Sequence, residues 1–77
     1  MTEEFKRQFD YNVKVMKAAS FAAALGWEEG YYGNLMQDNP SYELKLRKLI
    51  HKLVGDKWPE AVQRAYDENY HEGYMES

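Results

Sequence analysis

No stretch of this chain is specified more strongly than Asn39–Gly55, NPSYELKLRKLIHKLVG, and the rest of the fold has to accommodate it. Tyr42, Leu46, Leu49, Ile50 and Leu53 recur at steps of four, three, one and three residues, the spacing that places side chains on one face of a helix of 3.6 residues per turn. Both ends carry stop signals. Asn39 or Ser41 can accept a hydrogen bond from an unpaired amide of the first turn, Pro40 suits the first helical position, and Gly55 suits the positive-φ residue that closes the last turn. The sequence therefore predicts a helix at about 40–54. An amphipathic helix of this kind needs other elements to cover its apolar face. Its other side bears Lys45, Arg47, Lys48, His51 and Lys52, the one concentrated positive surface in the sequence.

Two further helices are expected to supply the cover. Thr2 can cap a first helix at about 3–25, whose opening turn holds Glu3 and Glu4, the charge sign favoured at a helix N-terminus. Phe5, Phe9, Val13, Met16, Ser20 and Ala23 follow one another at helical spacing and read as a buried stripe. Tyr11, Val15, Ala18, Ala22 and Leu25 form a second line beside it. From Ala18 to Leu25 the polar face disappears, and the small alanines invite a close backbone neighbour. Gly26 reads as the stop. A last helix is expected at about 58–71, with Asp56 as its cap, Pro59 in its first turn and Trp58, Ala61, Val62, Ala65, Tyr66 and Tyr70 as its stripe. Gly73 reads as its end and 74–77 as a frayed tail. The short connection after Gly55 predicts that the last two helices lie side by side as a helical hairpin. Together these expectations describe one domain, 1–77: an all-α bundle of three helices, or four if the connector is helical.

That connector, WEEGYYGNLMQDNP, is the least regular part. The four-residue spacing of Trp27, Tyr31 and Leu35 favours a short helix at about 28–37. Gly30 and Gly33 each oppose it by about 1 kcal/mol relative to alanine. It gathers Trp27, Tyr31, Tyr32 and Met36, residue types that supply contact area at protein interfaces, beside glycines that allow close approach. The plain structural alternative is that Trp27 and one tyrosine close the end of the bundle.

Charge is segregated along the chain. Residues 1–19 carry +1, 20–43 carry −4, 44–57 carry +4 and 58–77 carry −4, for a net −3. A basic helix between acidic segments is most simply explained by pairing within the fold, and otherwise by an acidic partner. With 77 residues and no cysteine, the chain has room for one small core and no disulfide, thiolate or sulfur-ligated zinc to staple it. No apolar run reaches the ~20 residues of a membrane span, and the acidic opening MTEEF lacks the positive flank of a signal peptide, so a cytoplasmic protein without membrane contact is expected.

Catalytic constellations are missing from the sequence. Gly26, Gly30 and Gly33 precede no Lys-Ser/Thr pair and so form no phosphate loop. Glu68 and His71 have the Glu-x-x-His spacing of carboxylate-bridged metal sites, but a second copy and further inward glutamates are wanting. Adjacent pairs such as Glu28–Glu29 and Asp67–Glu68 diverge around a helix instead of converging on a substrate. The expectation is no catalytic residue, no cofactor and no metal. Nucleic acid is disfavoured as well. If 41–70 were a helix-turn-helix, the reading helix would carry Glu60, Asp67, Glu68 and Glu72, which repel phosphate.

The sequence holds 7 Tyr, 3 Phe and 2 Trp, more aromatic surface than a core of this size can hide. It predicts a non-enzymatic protein–protein interaction module: a small regulator, inhibitor or adaptor that docks on a larger protein, with a homodimer as a further expectation. Among chains of this length, phage- or plasmid-type modulators of host machinery are the common example. The expected partner surface is Trp27, Tyr31, Tyr32 and Met36, with Lys45, Arg47, Lys48 and Lys52 as a secondary basic surface. The rival reading is a small nucleic-acid-associated regulator that uses the basic helix 44–57.

Overall fold

One helix sets the dimensions of the molecule. The computed structural model describes residues 2–77, and among them α1 spans Glu3–Asn34, α2 Pro40–Val54 and α3 Glu60–Glu76, with no strand. The protein is thus an all-α three-helix bundle. At 1.5 Å per residue the 32 residues of α1 extend about 48 Å, and the whole molecule measures 50 × 22 × 15 Å. α2 and α3 have 15 and 17 residues and can cover only part of that spine.

The starts of α1 and α2 follow from local chemistry. Thr2 Oγ1 accepts from the Phe5 amide at 3.2 Å, and Asn39 Oδ1 accepts from the Tyr42 amide at the same distance. Pro40 opens α2, and Gly55 closes it at φ 81°, ψ −160°, a region open in practice only to glycine. α3 differs. It begins after Pro59, no side chain caps it, and Asp56 instead pairs with His51 at 3.0 Å.

The first helix does not stop at Gly26. It continues unbroken to Asn34, absorbing most of the stretch expected as a connector, and Gly26 and Gly30 are where α3 crosses. A Cβ on Gly26 or Gly30 would overlap the carbonyl oxygen of Tyr66 or Tyr70, and one on Gly73 would lie 2.7 Å from the Trp27 carbonyl oxygen. Close backbone packing offsets the propensity penalty of glycine in a helix. For the same reason Gly73 is buried inside α3, which runs on to Glu76 where a stop near His71 and a frayed tail were expected.

The contacts give the topology. Tyr66 and Tyr70 follow Gly26 and Gly30 in the same order, and Asn34 Nδ2 donates to Ser77 Oγ, so α3 runs parallel to α1. α2 returns along α1 after a short turn and places Arg47 against Glu29. α2 and α3 run antiparallel, as expected of a hairpin, but do not lie side by side. No Cα of one lies within 8 Å of a Cα of the other, and both pack on the spine.

Ala18, Ala22 and Leu25 of α1, Leu46 and Ile50 of α2 and Val62 of α3 form the buried core, so one face of the alanine-rich stretch is covered within the chain while Ser20 and Ala24 stay exposed. Leu53, Val54, Trp58 and Tyr66 close around it. Leu49 departs from the expected inward stripe: it is half-buried and lines a shallow outer groove with Leu44. The first stripe of α1 also turns out differently. Phe5, Phe9 and Met16 are exposed, because α2 and α3 reach only as far as the second half of the helix and bury the parallel line through Ala18, Ala22 and Leu25. Among the described residues, no helix is long and apolar enough to cross a membrane.

Candidate functional site

The C-terminal ends of α1 and α3 meet at one end of the bundle, and the turn that leaves α1 there has an unusual residue in it. The Gln37 amide donates to the Tyr32 carbonyl at 2.8 Å and the Met36 amide to the Gly33 carbonyl at 3.1 Å. This pair of bonds is a Schellman closure, which requires a left-handed residue at its hinge, usually glycine. Here the hinge is Met36, at φ 57° and with 93% of its surface exposed.

Beside the turn lie the aromatic residues singled out in the sequence. The rings of Trp27 and Tyr31 stack at 4.6 Å with planes 9° apart, and Tyr32 meets Tyr31 edge-on at 4.9 Å. All three are half-buried, so of the expected partner surface Met36 alone is exposed. Their self-stacking, together with Gly73 of α3 against the backbone of Trp27 and Tyr31, accounts for the covered area. The exposed members of this end are Met36 and Leu35, with Tyr70, Tyr74 and Met75 from α3. Tyr74 and Met75 were hidden in the sequence by the assumption of a frayed tail. The four-residue step from Tyr70 to Tyr74, continuing a helical stripe through Gly73, is the signal that could have found them.

A polar clamp ties this end together across all three helices. Arg47 Nη2 of α2 donates to both carboxylate oxygens of Glu29 of α1 at 2.9 Å, and the Tyr66 hydroxyl of α3 donates to Glu29 Oε1. The Arg47 guanidinium also lies 6.0 Å from the Tyr66 ring centre, at the outer reach of a cation–π contact, and Trp58 meets that ring edge-on at 5.6 Å. Burial pushes the Tyr66 hydroxyl up to about 12, and the hydrogen bond and charge of Glu29 add to the shift. Glu43 borders the same region. Burial, then the neighbouring charges of Glu29, Asp38 and Glu28, raise its carboxyl above the ordinary value, and its Oε1 is buried without a hydrogen-bond partner among the described residues.

The secondary basic surface divides in two. Arg47 is engaged by Glu29, whereas Lys45, Lys48 and Lys52 rim the outer groove over Leu44 and Leu49 and make no ion pair among the described residues. Pairing within the fold therefore accounts for Arg47 and leaves these three lysines to solvent. Among the described residues, no group of three or more His, Asp or Glu side chains is placed to hold a metal. No protein-family model matches the chain, and neither a curated protein nor a solved structure matches it. Function is read from geometry and chemistry.

Proposed function

We propose that this protein is a non-enzymatic interaction module, a small cytoplasmic regulator, inhibitor or adaptor that docks on a larger protein through the aromatic end of the bundle. The supporting observation is Met36. A methionine held in the left-handed conformation at φ 57°, where glycine would be relaxed, and exposed over 93% of its surface gains nothing from folding. Placed against an apolar partner, its flexible thioether and the exposed Leu35, Tyr74 and Met75 supply the contact area that interfaces favour. The half-buried Trp27, Tyr31 and Tyr32 act as the rigid floor beneath them. The test is capture from a lysate of the source cells on immobilised chain, with the variant Met36→Gly/Met75→Ser alongside. The variant should keep its helical circular-dichroism signal and lose the protein that the wild type retains. Equal capture by both would move the surface elsewhere.

The free lysines support a second reading. Lys45, Lys48 and Lys52 line one side of α2 and could each neutralise a phosphate, enough for weak, salt-sensitive nucleic-acid binding. Retention on heparin or duplex DNA at about 150 mM salt, abolished by Lys45→Glu/Lys48→Glu, would favour it over the first.

A further inference from the structure

The backbone of α2 packs on α1 alone, since no Cα of α3 lies within 8 Å of it, and its buried side is taken by Leu46 and Ile50. At 100° per residue, Ser41, Leu44, Lys45, Lys48, Leu49 and Lys52 occupy an arc of about 140° centred about 150° from that buried side. These residues line an outward groove of about 320 Å³. Two rows of side chains four residues apart form its banks, Ser41–Lys45–Leu49 and Leu44–Lys48–Lys52, over a length of about 17 Å, or three helical turns. Each bank holds one leucine. Leu44 is 53% exposed and Leu49 half-buried, and the methylene stems of the lysines add to the apolar wall.

Charge gives the groove a sign. Of the five basic side chains on α2, Arg47 is paired with Glu29 and His51 with Asp56, whereas Lys45, Lys48 and Lys52 make no ion pair among the described residues. The rest of the chain is net acidic, so these three form a positive strip on a negative molecule.

We propose that the groove is a docking site for an acidic amphipathic helix of a partner protein. A groove between two rows of this spacing receives the corresponding ridge of a second helix, crossing at about −50°. The partner's apolar ridge rests between Leu44 and Leu49, and acids on either side of it, one per turn, meet Lys45, Lys48 and Lys52, which are also spaced one per turn. Other occupants satisfy only part of this surface. The phosphates of a nucleic acid answer the lysines and gain nothing from the leucines, and the groove holds no arginine to read a base edge. An anionic bilayer is repelled by the acidic remainder of the molecule. A second copy offers the acids of α3, but the row Glu60–Arg64–Glu68–Glu72 has no apolar residue to fill the groove. The groove shares no residue with the aromatic end and does not rest on the reading given to that end.

The test is fluorescence anisotropy of a labelled synthetic helix of about 16 residues, with leucine in one row of four-residue spacing and glutamate in the rows beside it, titrated with the full chain. Two control peptides replace the leucines by serine or the glutamates by lysine. The wild type should bind the first peptide in the micromolar range and each control at least tenfold more weakly. Lys48→Glu and Leu44→Ser, both at exposed positions and both expected to keep the helical circular-dichroism signal, should each weaken the first peptide at least fivefold. Raising salt from about 50 to about 500 mM should weaken it too. Met36→Gly/Met75→Ser should bind it as the wild type does. No binding at about 1 mM overturns the proposal, as does equal binding of the serine peptide, which would mean that charge alone is read. Tighter binding of a short DNA duplex or of phosphatidylserine vesicles overturns it in favour of nucleic acid or lipid. Self-association that Lys48→Glu removes gives the groove to a second copy and also overturns it. Loss of the peptide by Met36→Gly/Met75→Ser would move the site to the aromatic end, whereas failure of partner capture at that end leaves the groove untouched.

Discussion

Met36→Gly separates stability from binding. The left-handed conformation costs an L-residue about 1–2 kcal/mol, and glycine removes that strain while keeping both backbone bonds of the closure, Gln37 to Tyr32 and Met36 to Gly33. Glycine also gives the unfolded chain more freedom, an opposing term of about 0.5–1 kcal/mol. At 93% exposure the methionine side chain has almost no packing to lose. The net expectation is a gain of about 0.5–1 kcal/mol, or roughly 2–8 °C in melting temperature for a domain of this length. Thermal unfolding followed at 222 nm measures it. A lower melting temperature would refute the reasoning, since it would mean that the side chain packs on the bundle or that the hinge is unstrained. If the docking proposal holds, the same stabilised variant binds its partner more weakly, so weaker binding could not be blamed on unfolding.

Three other outcomes are expected. Leu25→Ala, at a fully buried position in a core whose large buried side chains are Leu25, Leu46, Ile50 and Val62, should destabilise by about 2–5 kcal/mol in urea unfolding, whereas half-buried Leu49→Ala should shift the midpoint far less. Gly30→Ala should destabilise despite the better helix propensity of alanine, because its Cβ has to displace the Tyr70 carbonyl; a more stable variant would show that α1 and α3 are not in backbone contact. Because the folded Tyr66 hydroxyl titrates near 12 and the unfolded one near 10, the unfolded chain gives up its proton first. The contribution is complete below pH 10 and is lost as pH rises from there through 12, and Tyr66→Phe should flatten that part of the stability curve.

What could be read from the sequence was whatever depends on neighbours a few residues apart. Thr2, Asn39, Pro40 and Gly55 act within one turn of their own position, and the starts of α1 and α2 and the end of α2 fall where those residues place them. Gly26, Gly30 and Gly73 misled for the opposite reason. Their meaning depends on a helix some forty residues away, and in isolation each looks like a break. The two apolar lines of α1 are equally regular, so the one that is buried is decided by how far α2 and α3 extend along the spine. Phe5, Phe9 and Met16 lost that contest. In the candidate site, composition brought out Trp27, Tyr31, Tyr32 and Met36. Their stacking, the strain at Met36 and the arrival of Tyr74 and Met75 are consequences of parallel α1–α3 packing that no local pattern carries.

The most direct test of the docking proposal is the dissociation constant of the captured protein for the wild-type chain and for Met36→Gly/Met75→Ser, measured by calorimetry on folded samples. Loss of anchors at an interface centre weakens binding by 2 kcal/mol or more, so the variant should bind at least ~30-fold more weakly while remaining fully folded. Equal affinities would contradict the proposal and take the docking surface away from the aromatic end of the bundle.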